Sequence, residues 1–350
     1  MRIAINGFGR IGRTAFRVWL SHYQSAADLV AINTSGSMDL AGWAHLLRYD
    51  SNYGVLSQEI TIEEHQKAKE ASDTDPLLGT LTVAGKTIQV LAQRDPAKLP
   101  WGNLAIDTVI ESTGVFITQE KASSHLQAGA KRVIISAPPK GEGIQTFVLG
   151  VNEAVDTHQE AAGQTIISNA SCTTNCVAPV VSVIHQQFGI QKAMMTTVHA
   201  YTDDQNLHDN SHKDLRRARS AAKNIVPTTT GAAIAVTETI PDLKNKFDGL
   251  AIRVPVATGS LSDMTFVISK PTTVEEINAA LTAASKEPRF AGILSVTSDP
   301  IVSSDIIGRR ESSIVDLQLT QVVDGTLIKV VSWYDNEYGY CNRLVEQASQ

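Results

Sequence analysis

Three cysteines in 350 residues, Cys172, Cys176 and Cys341, are too few for a disulfide framework and imply a reducing compartment. No CxxC or histidine-rich spacing suggests a metal site. No apolar run approaches the roughly 18 residues of a membrane span. Met1-Arg2-Ile3-Ala4-Ile5 runs straight into a strand pattern without a signal-peptide core, so the expectation is a cytoplasmic protein with no membrane partner. A basic excess is also missing: the formal net charge is −6, which argues against nucleic acid as the main partner. Internal repeats and low-complexity tracts are absent. What is present, 43% hydrophobic and 19% charged residues over this length, suits a globular enzyme of two domains with a sizeable core.

The first patterned stretch is an apolar strand, Arg2 to Ile5, followed by Asn6-Gly7-Phe8-Gly9-Arg10-Ile11-Gly12 and an amphipathic run from Arg13 to Tyr23. G-x-G-x-x-G between a strand and a helix permits a tight turn, close approach of a pyrophosphate and close helix–strand packing. The bland alternative is an ordinary turn that needs glycine for its backbone angles. The second strand, Asp28 to Asn33, usually ends in an acid that binds the adenosine ribose of NAD. Here Asn33-Thr34-Ser35-Gly36-Ser37 follows, with hydroxyls in place of the acid. Without that repulsive carboxylate a 2′-phosphate is admitted, so NADP is favoured over NAD, or both are accepted. Further strands, Ala105 to Ile110 and Arg132 to Ser136, complete a doubly wound parallel sheet. Glu63 to Asp75, charged and without β periodicity, reads as a surface loop or short helix within an insertion reaching Leu78.

Ser168 to Cys176 places a thiol among small hydroxyl and amide side chains, just before the helix-compatible run Val177 to Phe188. A helix N-terminus favours an anion and so favours thiolate over thiol, although most cysteines are buried small hydrophobes. Ser171, Thr173 and Thr174 add donors suited to phosphate or an oxyanion. Twenty-seven residues later, Met194 to Thr202 reads as a strand delivering His199 near its end. A Cys and a His brought together by a fold make a nucleophile–base pair; spacing alone does not bring them together.

In these stretches, and in Asp214-Leu215-Arg216-Arg217-Ala218-Arg219, Pro227 to Ala233 and Trp333 to Tyr340, the chain resembles phosphorylating glyceraldehyde-3-phosphate dehydrogenases, including NADP-accepting members. The resemblance implies an N-terminal Rossmann domain over 1–171, with a C-terminal helix in 336–350 packing back on it. It implies an α+β catalytic and tetramerisation domain with a large mixed sheet over 172–335. Cys172 would attack glyceraldehyde 3-phosphate, and His199 would lower the thiol's pKa and take the hydroxyl proton. A thioester would then be cleaved by inorganic phosphate to 1,3-bisphosphoglycerate. Thr202 and Arg253 would hold the substrate's phosphate, with Ser171, Thr173, Thr230, Gly231 and Arg217 on the attacking one. Cofactor contacts would come from Gly7, Gly9, Arg10, Ile11, Gly12, Asn33, Thr34, Ser35, Arg94, Ser112, Thr113, Gly114, Ser136 and Asn336. Ser211, where NAD-type members often carry proline, would reach a neighbouring subunit's cofactor and, with Thr34, Ser35 and Arg94, cradle a 2′-phosphate. Cys176 reads as a helix-core residue and no resolving thiol.

Three rivals stand beside this reading. Erythrose-4-phosphate dehydrogenase uses the same Cys and His but usually lacks the pair seen here as Tyr201-Thr202. An acyl-phosphate reductase such as aspartate-semialdehyde dehydrogenase is disfavoured by the arginines placed for a phosphorylated substrate. A nucleic-acid or partner-binding role for the dinucleotide groove is disfavoured by the acidic net charge.

Overall fold

Short apolar strands alternating with helices give a parallel sheet, because each helix must bury its apolar stripe on the sheet face. The computed structural model describes residues 1–152 and 166–350. These form two compact units, one of residues 1–146, 166–169 and 341–350, the other of 147–152 and 170–340.

The first unit contains β1 (Arg2–Asn6), α1 (Arg10–Val18), β2 (Asp28–Thr34), α2 (Leu40–Arg48), β3 (Ile60–Glu64), β4 (Leu77–Val83), β5 (Lys86–Ala92), β6 (Thr108–Glu111), α3 (Gln119–Gln127), β7 (Arg132–Ile135), β8 (Gln145–Thr146) and β9 (Ile166–Ser168). Strand order is β8-β9-β7-β6-β1-β2-β5-β4-β3. Pairing is parallel from β8 through β5 and antiparallel in β5-β4-β3. The chain winds outward in both directions from β1, so a crevice opens at the carboxyl ends of β1, β2 and β6, the usual dinucleotide position in such sheets.

Two local expectations change. The strand expected at Ala105 begins at Thr108, because Ala105 takes a left-handed conformation (φ 50°) and Ile106 N–H turns back to Trp101 O. Glu63 and Glu64, expected in a loop or short helix, lie in β3 and pair with Thr80 and Gly79. Ile60 and Ile62 share the half-buried face of that strand, and the excursion proper is the loop that follows it.

The second unit contains α4 (Cys172–Phe188), β10 (Ile190–Ala200), β11 (Val226–Thr228), α5 (Ala232–Thr239), β12 (Phe247–Val254), β13 (Ser260–Ile268), α6 (Val274–Ala284), β14 (Leu294–Thr297), β15 (Ser313–Asp316), β16 (Gln321–Val323) and β17 (Leu327–Tyr334). The mixed sheet runs β11-β12-β10-β13-β17-β15-β14, with β16 paired to β17. β13 shows why one face is covered: Ser260, Ser262, Met264, Phe266 and Ile268 alternate inward. Against that face Val177, Val181 and Ile184 of α4 join Met264, Phe266, Ile277, Leu281 and Ile328 in one apolar cluster. The last helix, α7 (Tyr338–Ala348), belongs to the first unit from Cys341 onward. There Gln347 accepts from Asn169 Nδ2 at 2.8 Å through its side chain and from Arg132 Nη2 at 2.5 Å through its carbonyl. No helix among the described residues is long and apolar enough to cross a membrane.

Candidate active site

The first unit holds a cleft of about 440 Å³ lined by Asn6, Gly7, Phe8, Gly9, Asn33, Thr34, Ser35, Trp43, Gln93, Arg94, Ser112, Thr113, Val115 and Phe116. Its glycines have separate physical reasons. Gly7 sits at φ 95°, where a Cβ would also strike Thr113 at 2.8 Å, and a Cβ on Gly12 would lie 2.0 Å from Gly7 O. A Cβ on Gly9 would meet nothing within 4 Å, so its glycine leaves room for something outside the chain. Gly9 is also the N-cap of α1, with no side-chain cap and no acid in the first turn. The α1 N-terminus therefore carries no side chain of its own that competes with an anion. These features fit a dinucleotide pyrophosphate.

Beneath the cleft, polar side chains bond to one another. Glu111, 1% exposed, accepts from Asn6 Nδ2 at 2.5 Å, Thr113 N at 2.7 Å and the Thr113 hydroxyl. Trp101 Nε1 donates to His125 Nδ1 at 3.0 Å, so His125 carries its proton on Nε2 and donates it to Glu111 at 2.9 Å. Asn33 donates to Asn6 Oδ1 and Gln93 O and accepts from Gln93 N. Its amide is therefore engaged within the protein, at the lining of the cleft. Thr34, also in the lining, is engaged likewise. Its one hydroxyl proton goes to Leu91 O at 3.0 Å and its oxygen accepts from Gly36 N at 3.3 Å, leaving nothing to donate to a 2′-phosphate. Ser35, exposed and 2.9 Å from the Ser37 hydroxyl, and the exposed Arg94 remain at the rim.

The other expected cofactor residues lie off this lining. Arg10 is paired with Asp50 at 2.7 Å. Ile11 and Gly12 are in α1, Gly114 follows the lining pair Ser112 and Thr113, and Ser136 directly follows β7 with its N–H on Glu111 O. Ser211 and Asn336 belong to the second unit. Ser211 is exposed, its carbonyl accepting from Asn206 Nδ2 at 3.3 Å. Asn336 is buried, its Oδ1 accepting from Gly259 N, Ser260 Oγ and Thr258 Oγ1.

In the second unit the sequence-distant pair meets: Cys172 Sγ is 3.4 Å from His199 Nε2. Ala170 adopts a left-handed turn (φ 56°), Ser171 caps α4 by accepting from Thr174 N at 3.1 Å, and Cys172 is the first helical residue. His199 is the penultimate residue of β10, as the sequence pattern requires. Its Nδ1 lies 2.7 Å from Ala200 O, which can only accept. Nδ1 therefore carries the proton, and Nε2 presents a lone pair to the sulfur. Burial is the main influence on His199 and lowers it to about 3, with the Arg253 cation adding to the fall. Burial also pushes the Cys172 thiol up, against a smaller downward pull from Arg253 and from Thr173. Both shifts run against the charged forms, because the low-dielectric setting penalises imidazolium and thiolate alike. Tyr334 stacks edge-on to His199 at 5.9 Å and bonds Thr173 and Thr197 through its hydroxyl, at 2.9 and 2.8 Å.

A cluster of arginine and hydroxyl side chains adjoins this pair. Arg253 on β12 is the register partner of His199 on β10, and its Nη1 donates to Thr202 Oγ1 at 2.6 Å. Its Nε is buried without a partner, an orphan donor suited to an oxyanion. Arg217 bonds Thr228 Oγ1 at 2.9 Å, Thr229 O at 3.1 Å and the Asp204 carboxylate. Asp204 also accepts from the Thr202 hydroxyl, a contact the sequence did not signal. Arg219 pairs with Asp209 at 2.6 Å, so that part of the basic run is structural. Thr230 Oγ1 accepts from Ala232 N at 3.2 Å, and Gly231 N-caps α5 with open space at its Cα. Cys176 is sealed within α4, beside the Ser313 hydroxyl and the Ser332 carbonyl, and burial pushes its thiol up to about 12.

Comparison with known proteins gives the same assignment over both units. The family model for the glyceraldehyde 3-phosphate dehydrogenase NAD binding domain matches residues 1–119, and that for the C-terminal domain matches 171–336. The chain is 51% identical over 348 residues to a glyceraldehyde-3-phosphate dehydrogenase of Mycobacterium avium, covering 99% of this chain and 97% of that one. It is 50% identical over 346 residues to glyceraldehyde-3-phosphate dehydrogenase 2 of Streptomyces avermitilis, covering 99% and 97%. It is 48% identical over 348 residues to the chloroplastic glyceraldehyde-3-phosphate dehydrogenase A of Chlamydomonas reinhardtii, covering 99% and 88%.

Proposed function

Since this chain belongs to the glyceraldehyde-3-phosphate dehydrogenase family, we propose that it is a phosphorylating oxidoreductase that favours NADP and acts as a cytoplasmic homotetramer. The observation that carries the chemistry is the 3.4 Å approach of Cys172 Sγ to an unprotonated His199 Nε2. Cys172 attacks the aldehyde carbon, its proton passes to Nε2 and then to the substrate oxygen, and a thiohemiacetal results. Nε2 takes the hydroxyl proton as that carbon is oxidised to a thioester. The bound dinucleotide supplies the hydride acceptor. An oxygen of inorganic phosphate then adds to the thioester carbonyl, the carbon–sulfur bond breaks, and Cys172 leaves as thiolate to be reprotonated.

Thr202 and Arg253 hold the substrate's phosphate, and Arg217, Ser171, Thr173, Thr230 and Gly231 the attacking one. Gly7, Gly9 and the α1 N-terminus hold the pyrophosphate. Asn336 orients the nicotinamide amide through its Nδ2, its oxygen being fixed by three donors. The preference for NADP rests on Ser35 and Arg94 at a rim that carries no carboxylate among its lining residues. Steady-state kinetics with both cofactors, at saturating aldehyde and phosphate, tests it. A tenfold or greater preference for NAD, about 1.4 kcal/mol, overturns the cofactor assignment.

A further inference from the structure

His199 and Arg253 do more than sit side by side on β10 and β12. They donate to one oxygen: Ala200 O accepts from His199 Nδ1 at 2.7 Å and from Arg253 Nη1 at 3.3 Å. The same Nη1 reaches Thr202 Oγ1 at 2.6 Å. Both of its protons are therefore in use while Arg253 Nε, buried, has no partner. An anion seated on Thr202 and Arg253 satisfies Nε and draws Nη1 toward itself, which removes Arg253 as a competitor of His199 at Ala200 O. A carbonyl relieved of a competing donor accepts more strongly from the remaining one, and a stronger bond at Nδ1 makes Nε2 a better proton acceptor.

Charge acts in the same direction. The groups bearing on His199 are Arg253, whose cation disfavours imidazolium, Asp204, which favours it, and the uncharged Cys172 and Tyr334. A dianion on Arg253 offsets the one unfavourable charge. We propose that a phosphate-class dianion bound to Arg253 and Thr202 promotes proton transfer to His199 Nε2, with the Ala200 carbonyl as the contact that couples the two. The substrate's phosphate is then an activator of the base as well as a handle. This coupling presupposes the aldehyde oxidation proposed above, in which the hydroxyl proton goes to Nε2, the carbon gives up a hydride with its electron pair to NADP, and the carbon–oxygen double bond re-forms.

The test divides the substrate in two. Full-length protein with saturating NADP is given D-glyceraldehyde, which lacks the phosphate, and phosphite dianion is added separately. The single-turnover burst of reduced cofactor is expected to accelerate saturably by about tenfold or more, with phosphite competing against glyceraldehyde 3-phosphate. A second readout needs no cofactor: phosphite is expected to move the His199 Nδ1 proton resonance downfield, and Arg253→Met to abolish that shift. A flat burst rate while phosphite competes overturns the coupling, as does phosphite that fails to compete. In both cases intact turnover of glyceraldehyde 3-phosphate leaves the oxidoreductase reading standing. Loss of that turnover in the unaltered protein takes both down.

Discussion

His199 faces Cys172 across 3.4 Å with its only proton committed to Ala200 on the far side of the ring. The histidine is thus fixed as an acceptor before any substrate arrives, and it is buried as a neutral group. Its presence should be felt in stability as well as in catalysis.

The sign follows from linkage. The folded-state value is lowered to about 3 from an ordinary 6.5, so the contribution of His199 is present above pH 6.5 and is lost as pH falls toward 3. His199→Asn removes this dependence. Between pH 7 and pH 5 the wild type is expected to lose about 2 kcal/mol more than the variant, read from urea unfolding at each pH. Equal losses would show that the imidazole is solvated as in the unfolded chain. The variant should also lose about 10²–10⁴ in kcat, the usual share of a general base.

Thr34 and Arg94 make opposite predictions at one rim. Arg94→Ala is expected to raise KM for NADP by about tenfold or more and leave KM for NAD nearly unchanged, since a charged hydrogen bond to phosphate contributes about 1.5–3 kcal/mol. Thr34→Val should leave the NADP-to-NAD ratio within about twofold, because the lost proton served Leu91 O. Thr34→Asp should reverse the preference through repulsion of the 2′-phosphate. A collapse of NADP use in Thr34→Val would show that the hydroxyl turns to the cofactor.

Asp204 occupies donors meant for anions, bridging the Thr202 hydroxyl and Arg217. Thr202, Arg253 and Arg217 hold its carboxyl below the ordinary range, so it is anionic at neutral pH. Asp204→Asn keeps the shape and removes a charge that incoming phosphate must face. KM for inorganic phosphate is expected to fall about fivefold, roughly 1 kcal/mol of relieved repulsion. A rise would instead mark Asp204 as the residue that holds Arg217 in position.

Glu111→Gln puts an amide where two oxygens accept from Asn6, His125 and Thr113. One NH₂ must then face a donor, and a buried unmatched donor costs about 1–3 kcal/mol. The urea midpoint should fall accordingly at unchanged m. KM for either cofactor should rise by a similar factor, because the cleft floor moves and the rim does not. An unchanged midpoint would mean that the network relaxes without cost.

Much of this was readable in the residues. The glycines between β1 and α1, the thiol at the start of α4 and the histidine near the end of β10 each follow from local pattern, and local pattern fixes where such residues sit on an element. What escaped depends on partners far away in the chain. Thr34 reads as a free hydroxyl until Leu91, on the neighbouring strand, claims its proton. Asp204 reads as a loop acid until Arg217 is folded onto it. The start of β6 was misplaced because Ala105 carries no sequence mark of its left-handed turn, a conformation glycine or asparagine usually announces. The upward shift of Cys172 and the downward shift of His199 reflect depth of burial, a property of the whole second unit that no motif encodes.

Cys176 lies one helical turn beyond Cys172, sealed between Ser313 and Ser332, with its thiol at about 12. Burial keeps that sulfur protonated at neutral pH, and the anion is the form that attacks. Were Cys172 oxidised to a sulfenic acid, Cys176 would be held protonated and could not resolve it. Recovery then depends on small thiols diffusing in from solution, and without them oxidation proceeds to sulfinic acid and the chain is permanently inactivated.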